Sequence, residues 1–451
     1  MTAPAESVQA GAGSTPSSTP SSANTLPPLL DHIPRPLRKR NPSRPRATMT
    51  RVSFRVTVIA GGMITHDQIL PSLYQLQRLG AISSIAVCAQ RASTLERLAS
   101  SDILQRAFPG QSFEPFPASG SEPQPHLYRD VIRRMPPHQL VFIALPDQLH
   151  FEAVMHALDC HQHVICVKPL VLTVQHSRQI ESFARQRGLF IGVEYHKRLD
   201  DRSLLARRRY RDGWFGEFKL GTATLMEKWY YRNSNFQNWC TTDHSDAFTY
   251  IGCHYVDLVH FITGLCPTSV SVYGIVDTYP NGNQGFLWTD ARILWNNGAC
   301  LNVQNSLCFP DAAPGTNTQG MRLCCSDGRR GALIEHSDQY RGLKYCYVKS
   351  SGEPGATLYA EPSPDYMQYV DLGGPGLVPV GYGFRSIDLL VRTAQRVAAI
   401  DSLADRQTLL AEIDAQGLVA TPANSRHNEQ VIEAGRQSIL HGGVPVAVPA
   451  P

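Results

Sequence analysis

The sequence lacks several features that would point to common classes of protein. No apolar run reaches the roughly 20 residues that a membrane-spanning helix needs. The 11 cysteines form no CxxC pair and no Cys/His cluster with metal-ligand spacing, and the adjacent Cys324 and Cys325 are not expected to bridge each other. These absences predict no membrane association and no metal site, and they favour reduced thiols in a cytoplasmic protein.

Most of the chain also lacks an excess of basic charge. The net charge is +4, and residues 1–48 account for it with six basic and two acidic residues. The remainder is formally neutral, so we expect no nucleic-acid partner. The same segment is rich in Pro, Ser, Thr and Ala and lacks the apolar centre of a secretory signal. We therefore expect residues 1–49 to be a disordered, basic tail.

Strand-like and helical segments alternate in the next part of the chain. Val52, Phe54, Val56 and Val58 alternate with polar residues before a continuously apolar run, as in a strand that enters a parallel sheet. Further strands are predicted at Ile82–Ala89, Leu140–Leu145, Val164–Val167 and Leu189–Glu194. Helical patterns separate these strands. The order predicts a doubly wound parallel sheet, a Rossmann domain, over residues 50–195.

The pattern changes after about residue 200. Longer, aromatic, strand-like segments follow, interrupted by one strong helix at Ala247–Gly264. Residues 196–451 are therefore predicted to form a second α/β domain with a large open mixed or antiparallel sheet. Helices near the C-terminus, at Ser386–Ile400 and Asn428–Leu440, are expected to pack back onto the body.

The turn after the first strand is a candidate nucleotide site. A glycine at Gly62 would let a pyrophosphate approach the backbone at a helix N-terminus. The full G-x-G-x-x-G is absent, since Ala60 and Thr65 replace its first and third glycines. Taken alone, the turn is equally consistent with a generic strand-to-helix connection. The predicted contacts to a dinucleotide here are Ala60, Gly61, Gly62, Met63 and Ile64.

The end of the second strand bears on which dinucleotide binds. NAD-binding domains usually carry an acid there, which accepts a hydrogen bond from the ribose 2′-hydroxyl. Ala89 and Gln90 are not acidic, whereas Arg91 and Ser93 can meet a 2′-phosphate. Gln90 and Arg91 are thus predicted cofactor contacts, for NAD or NADP with a slight preference for NADP. A solvated cation at the start of a helix explains Arg91 equally well.

Lys168 follows the strand Val164–Val167 and precedes Pro169. Ligands of open α/β sheets bind at the carboxyl ends of the strands, and a following proline favours an extended backbone at the lysine. There Lys168 is placed to exchange a proton with a hydroxyl beside a nicotinamide. Outside such a fold, a lone lysine before proline is usually a surface residue.

One helix carries a line of polar residues. Tyr250, His254, Asp257 and Phe261 are spaced to share one helical face. We expect this face to form the wall of a polar pocket, with Asp257 orienting His254 and His254 relaying a proton. A His–Asp hydrogen bond that merely joins two structural elements is the alternative.

Two segments are candidates for substrate contact, Glu194–Arg198 and Glu227–Tyr230. Both combine aromatic and charged side chains that can stack on and hydrogen-bond a polar ligand. From these segments we predict contacts by His196, Lys197 and Trp229. Packing in a core or an interface is the alternative explanation for the aromatic residues.

Taken together, these motifs resemble the Gfo/Idh/MocA family of oxidoreductases, over about Val52 to Val446. The resemblance rests on AGGMITHDQILPSL, on Pro146–His150 after the strand LVFIAL, on Lys168-Pro169, and on Gly252-x-His254-x-x-Asp257. It implies hydride transfer between NAD(P) and the hydroxyl of a sugar, inositol or related compound. It further implies that Lys168 is the active-site lysine, that His254 is the catalytic histidine, and that Pro146 and His150 lie in the cofactor-side loop.

The sequence departs from the family pattern at three places. Val167 replaces the usual glutamate before Lys-Pro, Ala60 and Thr65 alter the glycine turn, and Tyr250 replaces the acid that often precedes the histidine by four residues. A phenol can donate a hydrogen bond or pass a proton, but it is a poorer base than a carboxylate at neutral pH.

Three functions remain open at this point. The first is a dehydrogenase or reductase of a sugar, polyol or sugar derivative, with Lys168 and His254 handling the proton and Tyr250 and Asp257 supporting them. The second is a glycoside hydrolase that uses NAD transiently, and the third is a non-catalytic ligand sensor. The resemblance implies a homo-oligomer, either a dimer or a tetramer.

Overall fold

The computed structural model describes residues 52–313, 315, 317–337 and 365–450, and the backbone alone at 340–349 and 357–364. The expected disordered tail, residues 1–49, lies outside the described residues.

The first sheet has six strands in the order β3-β2-β1-β4-β5-β6, all parallel. Its strands are β1 (Phe54–Ile59), β2 (Ile82–Cys88), β3 (Glu114–Phe116), β4 (Leu140–Ile143), β5 (His163–Val167) and β6 (Ile191–Glu194). Strand β4 is apolar and buried along its whole length, as expected for a strand covered on both faces. The predicted doubly wound parallel sheet is confirmed. Its strand order reverses between β1 and β4, and ligands bind at such a point in folds of this kind.

Helices cover both faces of this sheet. They are α1 (Leu70–Arg78), α2 (Ala92–Ala99), α3 (Asp102–Ala107), α4 (Leu127–Arg133), α5 (His150–Asp159) and α6 (Val174–Arg187). Helix α6 begins and ends at identifiable signals. The side chain of Thr173 accepts a hydrogen bond from the His176 amide, and Gly188 adopts a left-handed conformation at φ 63°.

The second sheet has seven strands in the order β12-β11-β7-β10-β9-β8-β17. The strands of this sheet are β7 (Glu217–Lys228), β8 (Pro267–Thr278), β9 (Gln284–Trp295), β10 (Cys300–Phe309), β11 (Asn317–Ser326), β12 (Gly331–Ser337) and β17 (Val446–Ala447). Outside it lie β13 (Tyr340–Lys349), β14 (Thr357–Pro364), β15 (Gln368–Val370) and β16 (Val378–Val380). β7 and β10 are parallel and the other pairs in the sheet are antiparallel, so the predicted mixed sheet is confirmed. Burial alternates along its strands, which leaves one face exposed.

The remaining helices are α7 (Asp201–Arg211), α8 (Cys253–Thr263), α9 (Tyr382–Ala398), α10 (Leu403–Gln416) and α11 (Pro422–Leu440). Helix α9 packs into the core of the parallel sheet, where its Ile387 and Val391 join Phe54 and Val56. A Cβ atom at Gly192 of β6 would approach Leu390 Cδ2 of α9 to 2.6 Å, so the close packing of this helix needs a glycine. Helix α11 packs on β8 and α6, through residues such as Val431 and Ile439.

A π-helical turn precedes each of the two helices that approach the predicted site. Thr65–Ile69 leads into α1, and Phe248–Gly252 leads into α8. The predicted helix Ala247–Gly264 is therefore not a single α-helix. Since a π-turn inserts an extra residue, Tyr250 falls out of register with His254, Asp257 and Phe261 on α8.

Candidate functional site

The glycine turn lies at the carboxyl end of β1, where the strand order reverses. Ala60 adopts φ 107°, a backbone region that glycine occupies readily and alanine rarely does. The Thr65 hydroxyl donates a hydrogen bond to the Ala60 carbonyl at 2.8 Å. The two residues that depart from the G-x-G-x-x-G pattern are therefore bonded to each other, and the threonine stabilises the conformation that a glycine would otherwise provide.

The residues of this turn can accommodate a dinucleotide. A Cβ atom at Gly62 would meet no protein atom within 4 Å, so the packing of the protein does not itself require glycine there. Gly62 and Met63 are exposed at the start of the helix that leads into α1, and Ile64 is half-buried. Open backbone at a helix N-terminus suits an approaching pyrophosphate. Gly61 has a different role, because its Cβ atom would lie 3.1 Å from Thr94 Cγ2.

Gln90 and Arg91 follow β2 and are both exposed. The guanidinium of Arg91 donates a long hydrogen bond of 3.4 Å to the Ser121 carbonyl. No carboxylate stands at Ala89 or Gln90, as the sequence indicated. This arrangement leaves the cation of Arg91 available to a ligand at the end of β2.

The loop after β4 contacts the loop that carries Lys168. His150 is fully buried, and its Nδ1 lies 2.9 Å from the Pro169 carbonyl oxygen, while Nε2 lies 2.8 Å from that of Leu145. The imidazole therefore joins the two loops. His150, predicted as a cofactor contact, supports the loop that carries Lys168. Pro146 immediately precedes the 3₁₀ turn Asp147–Leu149 in the first of these loops.

Lys168 is buried, and its peptide bond to Pro169 is cis. Its ammonium donates a hydrogen bond to the Tyr250 backbone carbonyl and lies 3.6 Å from the centroid of the Tyr250 ring. Tyr250 thus presents its ring face and its carbonyl to the lysine. Burial, together with the nearby Glu227, raises the pKa of the Tyr250 phenol well above its usual range. The phenol therefore stays protonated at neutral pH and cannot serve as a base. Its residue nevertheless defines where the lysine lies.

His254 lies on α8, almost fully buried and 6% exposed. Its ring centroid is 4.8 Å from that of His196, and its Nδ1 has no hydrogen-bond partner among the described residues. Burial and the charges of Lys168, His196 and Lys197 hold the pKa of His254 well below its usual range. A neutral imidazole with an open nitrogen, buried beside a lysine, is suited to bind a ligand hydroxyl.

A chain of hydrogen bonds connects His196 to the π-helical turn that leads into α1. His196 Nδ1 lies 2.8 Å from Glu194 Oε2, and Glu194 Oε1 accepts from Gln68 Nε2 at 2.9 Å. Tyr366 donates to the oxygen of the same glutamine at 2.5 Å. His196, predicted as a substrate contact, lies against His254. Sequence reasoning did not identify Gln68 or Tyr366, which lie 126 and 172 residues from Glu194 and approach it only in the folded chain.

Asp257 does not orient His254, which corrects the expectation from the sequence. Both of its oxygens accept hydrogen bonds from the guanidinium of Arg198, at 2.7 and 2.5 Å, and Asn428 donates a further bond at 3.0 Å. Arg198 and Asp257 are both almost fully buried. The side chain of Asp257 is directed toward Arg198 of the 196–199 turn and Asn428 of α11. The carboxylate therefore neutralises a buried arginine.

The structure adds Glu227, near the end of β7, to the site. It continues the inward-facing series of Gly221, Ala223 and Leu225, so the alternation of the strand was the signal that could have identified it. Asn317 Nδ2 lies 3.5 Å from Glu227 Oε2. Burial raises the pKa of Glu227 to about 7, against the opposing effects of Lys168, Asn317 and Lys197.

Lys197 and Trp229, the other predicted substrate contacts, differ in their surroundings. Lys197 is buried and donates to Gln319 Oε1, and Gln319 in turn donates to Asn317 at 2.9 Å. Trp229 is 43% exposed, with the guanidinium of Arg232 over its ring at 4.2 Å. Lys197 therefore belongs to the polar network that reaches Glu227, whereas Trp229 stacks on a cation at the surface.

In the described part of the chain, no group of three or more His, Cys, Asp or Glu side chains is arranged to bind a metal ion. No helix among these residues has the length and apolar character of a membrane span.

Comparison with known proteins places the N-terminal domain in a family. Residues 54–195 match the Gfo/Idh/MocA model, described as an oxidoreductase family with an NAD-binding Rossmann fold. The D-glucoside 3-dehydrogenase of Escherichia coli is 24% identical over 185 residues, which are 41% of this chain and 46% of that protein. The levoglucosan dehydrogenase of Pseudarthrobacter phenanthrenivorans is 24% identical over 132 residues, which are 29% and 34% of the two chains.

These alignments are partial. An uncharacterized oxidoreductase of Schizosaccharomyces pombe is 33% identical, but over only 79 residues, which are 18% of this chain and 21% of that protein. The chain thus spans between about one fifth and one half of the length of these curated relatives.

Solved structures share the fold over nearly the whole chain. An inositol dehydrogenase homolog from Azotobacter vinelandii, complexed with NADH and myo-inositol, superposes with a TM-score of 0.61 at 19% identity and covers 88% of this chain and 98% of its own. The apo scyllo-inositol dehydrogenase of Lactobacillus casei gives 0.59 at 13% identity, over 89% and 100%. The expected resemblance is confirmed: residues 54–195 of this chain match the Gfo/Idh/MocA oxidoreductase family, whose model describes an NAD-binding Rossmann fold.

Proposed function

We propose that the protein is an NAD(P)-dependent dehydrogenase or reductase of a sugar, polyol or sugar derivative. The observation that carries this proposal is the convergence of Lys168, from the end of β5, and His254, from α8, near the carboxyl edge of the parallel sheet. Relatives named as dehydrogenases of a D-glucoside and of levoglucosan support the substrate class. So does the structural neighbour that is complexed with NADH and myo-inositol.

Each polar group has a role in this proposal. When bound at the glycine turn, the nicotinamide cofactor supplies the hydride acceptor or donor. The Lys168 ammonium donates a hydrogen bond to the reacting oxygen and stabilises negative charge that develops on it. The open Nδ1 of His254 binds a second polar group of the substrate. Burial of both residues excludes water and strengthens these interactions.

A screen of sugars and polyols tests this function. Wild-type protein, mixed with NAD⁺ or NADP⁺ and each compound, should produce the near-ultraviolet absorbance of the reduced cofactor with at least one substrate. Lys168→Ala should lower kcat by roughly 10²–10³-fold. Release of an aryl aglycone from aryl glycosides without net cofactor reduction would instead show a hydrolase. Cofactor-independent binding of a sugar, with no turnover, would show a sensor.

We further propose a slight preference for NADP, because Arg91 is exposed after β2 where no acid stands. Arg91→Ala should weaken NADPH binding roughly 10- to 150-fold, since hydrogen bonds to charged groups contribute about 1.5–3 kcal/mol, and should leave NADH binding unchanged. Fluorescence titration of both cofactors measures this. Arg97→Ala, an exposed arginine on the same helix, is the matched control. An equal effect of Arg91→Ala on both cofactors would contradict the preference.

The open face of the second sheet supports our proposal of a homo-oligomer, a dimer or a tetramer. Large apolar side chains lie on this face, including Leu220 and Ile275, each 53% exposed, and Tyr273 at 60%. Exposed apolar surface of this kind marks interfaces. We also propose a reducing, cytoplasmic setting, because the ten described cysteines are all free.

A further inference from the structure

The proton that leaves a hydroxyl during oxidation needs an acceptor, and two kinds of group near Lys168 are poor ones. The buried His254 does not retain a proton, because burial and neighbouring positive charges hold its pKa well below the usual range. The phenols of Tyr250 and Tyr366 have pKa values far above theirs, again because of burial, so neither is a phenolate at neutral pH. Since neither kind of group accepts a proton readily at neutral pH, the base comes from another element.

Glu227 of β7 is placed to be that base. The strand alternation directs its carboxylate to the inner face of the second sheet, and the carboxylate interacts electrostatically with Lys168 and Tyr250. Asn317, its register partner on β11, binds one carboxylate oxygen, Oε2. Within the described residues no donor reaches the other oxygen, Oε1. The carboxylate is therefore anchored on one side and open on the other.

A hydrogen-bonded chain fixes this anchor. Lys197 donates to Gln319, Gln319 donates to Asn317, and Asn317 donates to Glu227. Lys197, Gln319 and Asn317 are all buried. The chain runs from the end of the Rossmann sheet to the end of β7, so it sets the carboxylate relative to the domain that would bind the cofactor.

The charges around Glu227 leave it able to exchange a proton near neutral pH. The cations that face it are Lys168 from the β5 loop and Lys197 from the 196–199 turn. The phenols of Tyr230, Tyr231, Tyr250 and Tyr366 also face it. Burial outweighs the two cations and raises the pKa of Glu227 to about 7. A carboxylate with a pKa near the working pH is suited to general base catalysis.

We propose that Glu227 is the general base of the reaction, an inference that rests on the proposed function. In the oxidation direction the substrate O–H bond breaks and its proton moves to Glu227 Oε1. The O–H electron pair forms the carbonyl π bond as the C–H bond breaks, and the hydride passes to the oxidised nicotinamide cofactor. In reduction Glu227 returns the proton to the oxygen.

Glu227→Gln tests the proposal, because the amide keeps the shape of the side chain but cannot accept the proton. We expect kcat for oxidation to fall roughly 10²–10⁴-fold, with cofactor binding and melting temperature near those of the wild type. Glu227→Asp should recover part of the loss. Glu335→Gln changes an exposed glutamate on the same sheet and should leave kcat unchanged.

The pH dependence gives a second readout. The wild-type kcat for oxidation should rise with pH and level off above an inflection near 7, because the base must be deprotonated, and Glu227→Gln should lose this inflection. Infrared difference spectra of the protein without cofactor should show a carboxylic acid that titrates near pH 7 in the wild type and not in the variant.

Two outcomes would overturn the inference, and they are distinguishable. If Lys168→Ala and His254→Ala lose activity while Glu227→Gln retains both kcat and the inflection, the general base lies elsewhere and the proposed function stands. If the wild type oxidises or reduces no sugar or polyol with either cofactor, the proposed function fails and this inference fails with it.

Discussion

Single residues determine the form of the nucleotide turn. Ala60 adopts φ 107° where a glycine is expected, and the Thr65 hydroxyl donates a hydrogen bond to its carbonyl. The turn therefore has the backbone conformation of a glycine turn, although an alanine and a threonine form it. Sequence reasoning located the turn from its glycines. It could not foresee the bond between residues 60 and 65, because Ala60 and Thr65 were each identified only as a missing glycine.

This turn makes a prediction about stability. Ala60→Gly should increase the free energy of unfolding by about 1 kcal/mol, because alanine at positive φ is strained and glycine is not. Urea denaturation measures the change. Ala99→Gly, at an exposed position in the last turn of α2, should instead lower stability by a similar amount or less. A loss of stability in Ala60→Gly would show that alanine is not strained there.

Asp257 illustrates how a residue of the right type can serve a different purpose. Its position in the motif indicated a partner for His254, but the partner is Arg198, which comes from a separate segment of the chain. Spacing along a helix shows which residues are neighbours on that helix. It does not show which side chain from elsewhere in the fold will occupy the space beside them.

Asp257→Asn should therefore act on stability. Removing one partner of a buried ion pair leaves an uncompensated charge, and we expect a loss of about 3–5 kcal/mol in the free energy of unfolding. The Arg232–Asp277 pair, in which Asp277 is 36% exposed, provides the comparison. Asp277→Asn should lose about 1 kcal/mol or less. A fall in kcat without a fall in the free energy of unfolding would show that Asp257 supports catalysis after all.

At the scale of elements, the alternation of strands and helices was enough to predict the Rossmann sheet. The predicted strands lie within a few residues of the observed ones, and helices separate them as expected. The helix at Ala247–Gly264 was located correctly, but its initial π-turn was not foreseen. A π-turn depends on how the helix packs in the folded chain, so the apolar pattern of the sequence does not predict it.

The two loops beside the site act as one unit through His150. His150→Gln removes an imidazole that bonds the backbone of both loops. We expect kcat to fall roughly tenfold, because a displaced Lys168 misaligns the reacting oxygen, while the KM for the substrate changes little. Steady-state kinetics with the identified substrate measures both constants. His156→Gln, on the same helix and bonded to Arg129, should change neither. An increase in KM alone would contradict a positioning role.

At the scale of the whole molecule, the chain combines a parallel Rossmann sheet with a mixed sheet that leaves one face open. The site lies where the ends of β5, β6 and β7 meet α8. Sequence patterns predicted both sheets, but not that β7 would bring Glu227 to Lys168. That proximity depends on the packing of two sheets whose residues are far apart in the chain.

The open sheet face should determine the oligomeric state. Ile275→Asp, combined with Tyr273→Asp, places charges in an apolar interface and should convert the oligomer to a monomer in sedimentation velocity experiments. Leu372→Asp, at a position 72% exposed outside the large sheet, should leave the oligomer intact. An unchanged sedimentation coefficient for the double variant would show that subunits associate elsewhere.

The most direct test of the account follows the hydride itself. Wild-type protein is incubated with NAD⁺ or NADP⁺ and with sugars and polyols deuterated at their carbinol carbons, and the cofactor is analysed by mass spectrometry. We predict that deuterium appears in the reduced cofactor with the wild type and is nearly absent with Lys168→Ala. If no labelled substrate transfers deuterium to either cofactor, the chain has a Rossmann domain but is not the proposed oxidoreductase.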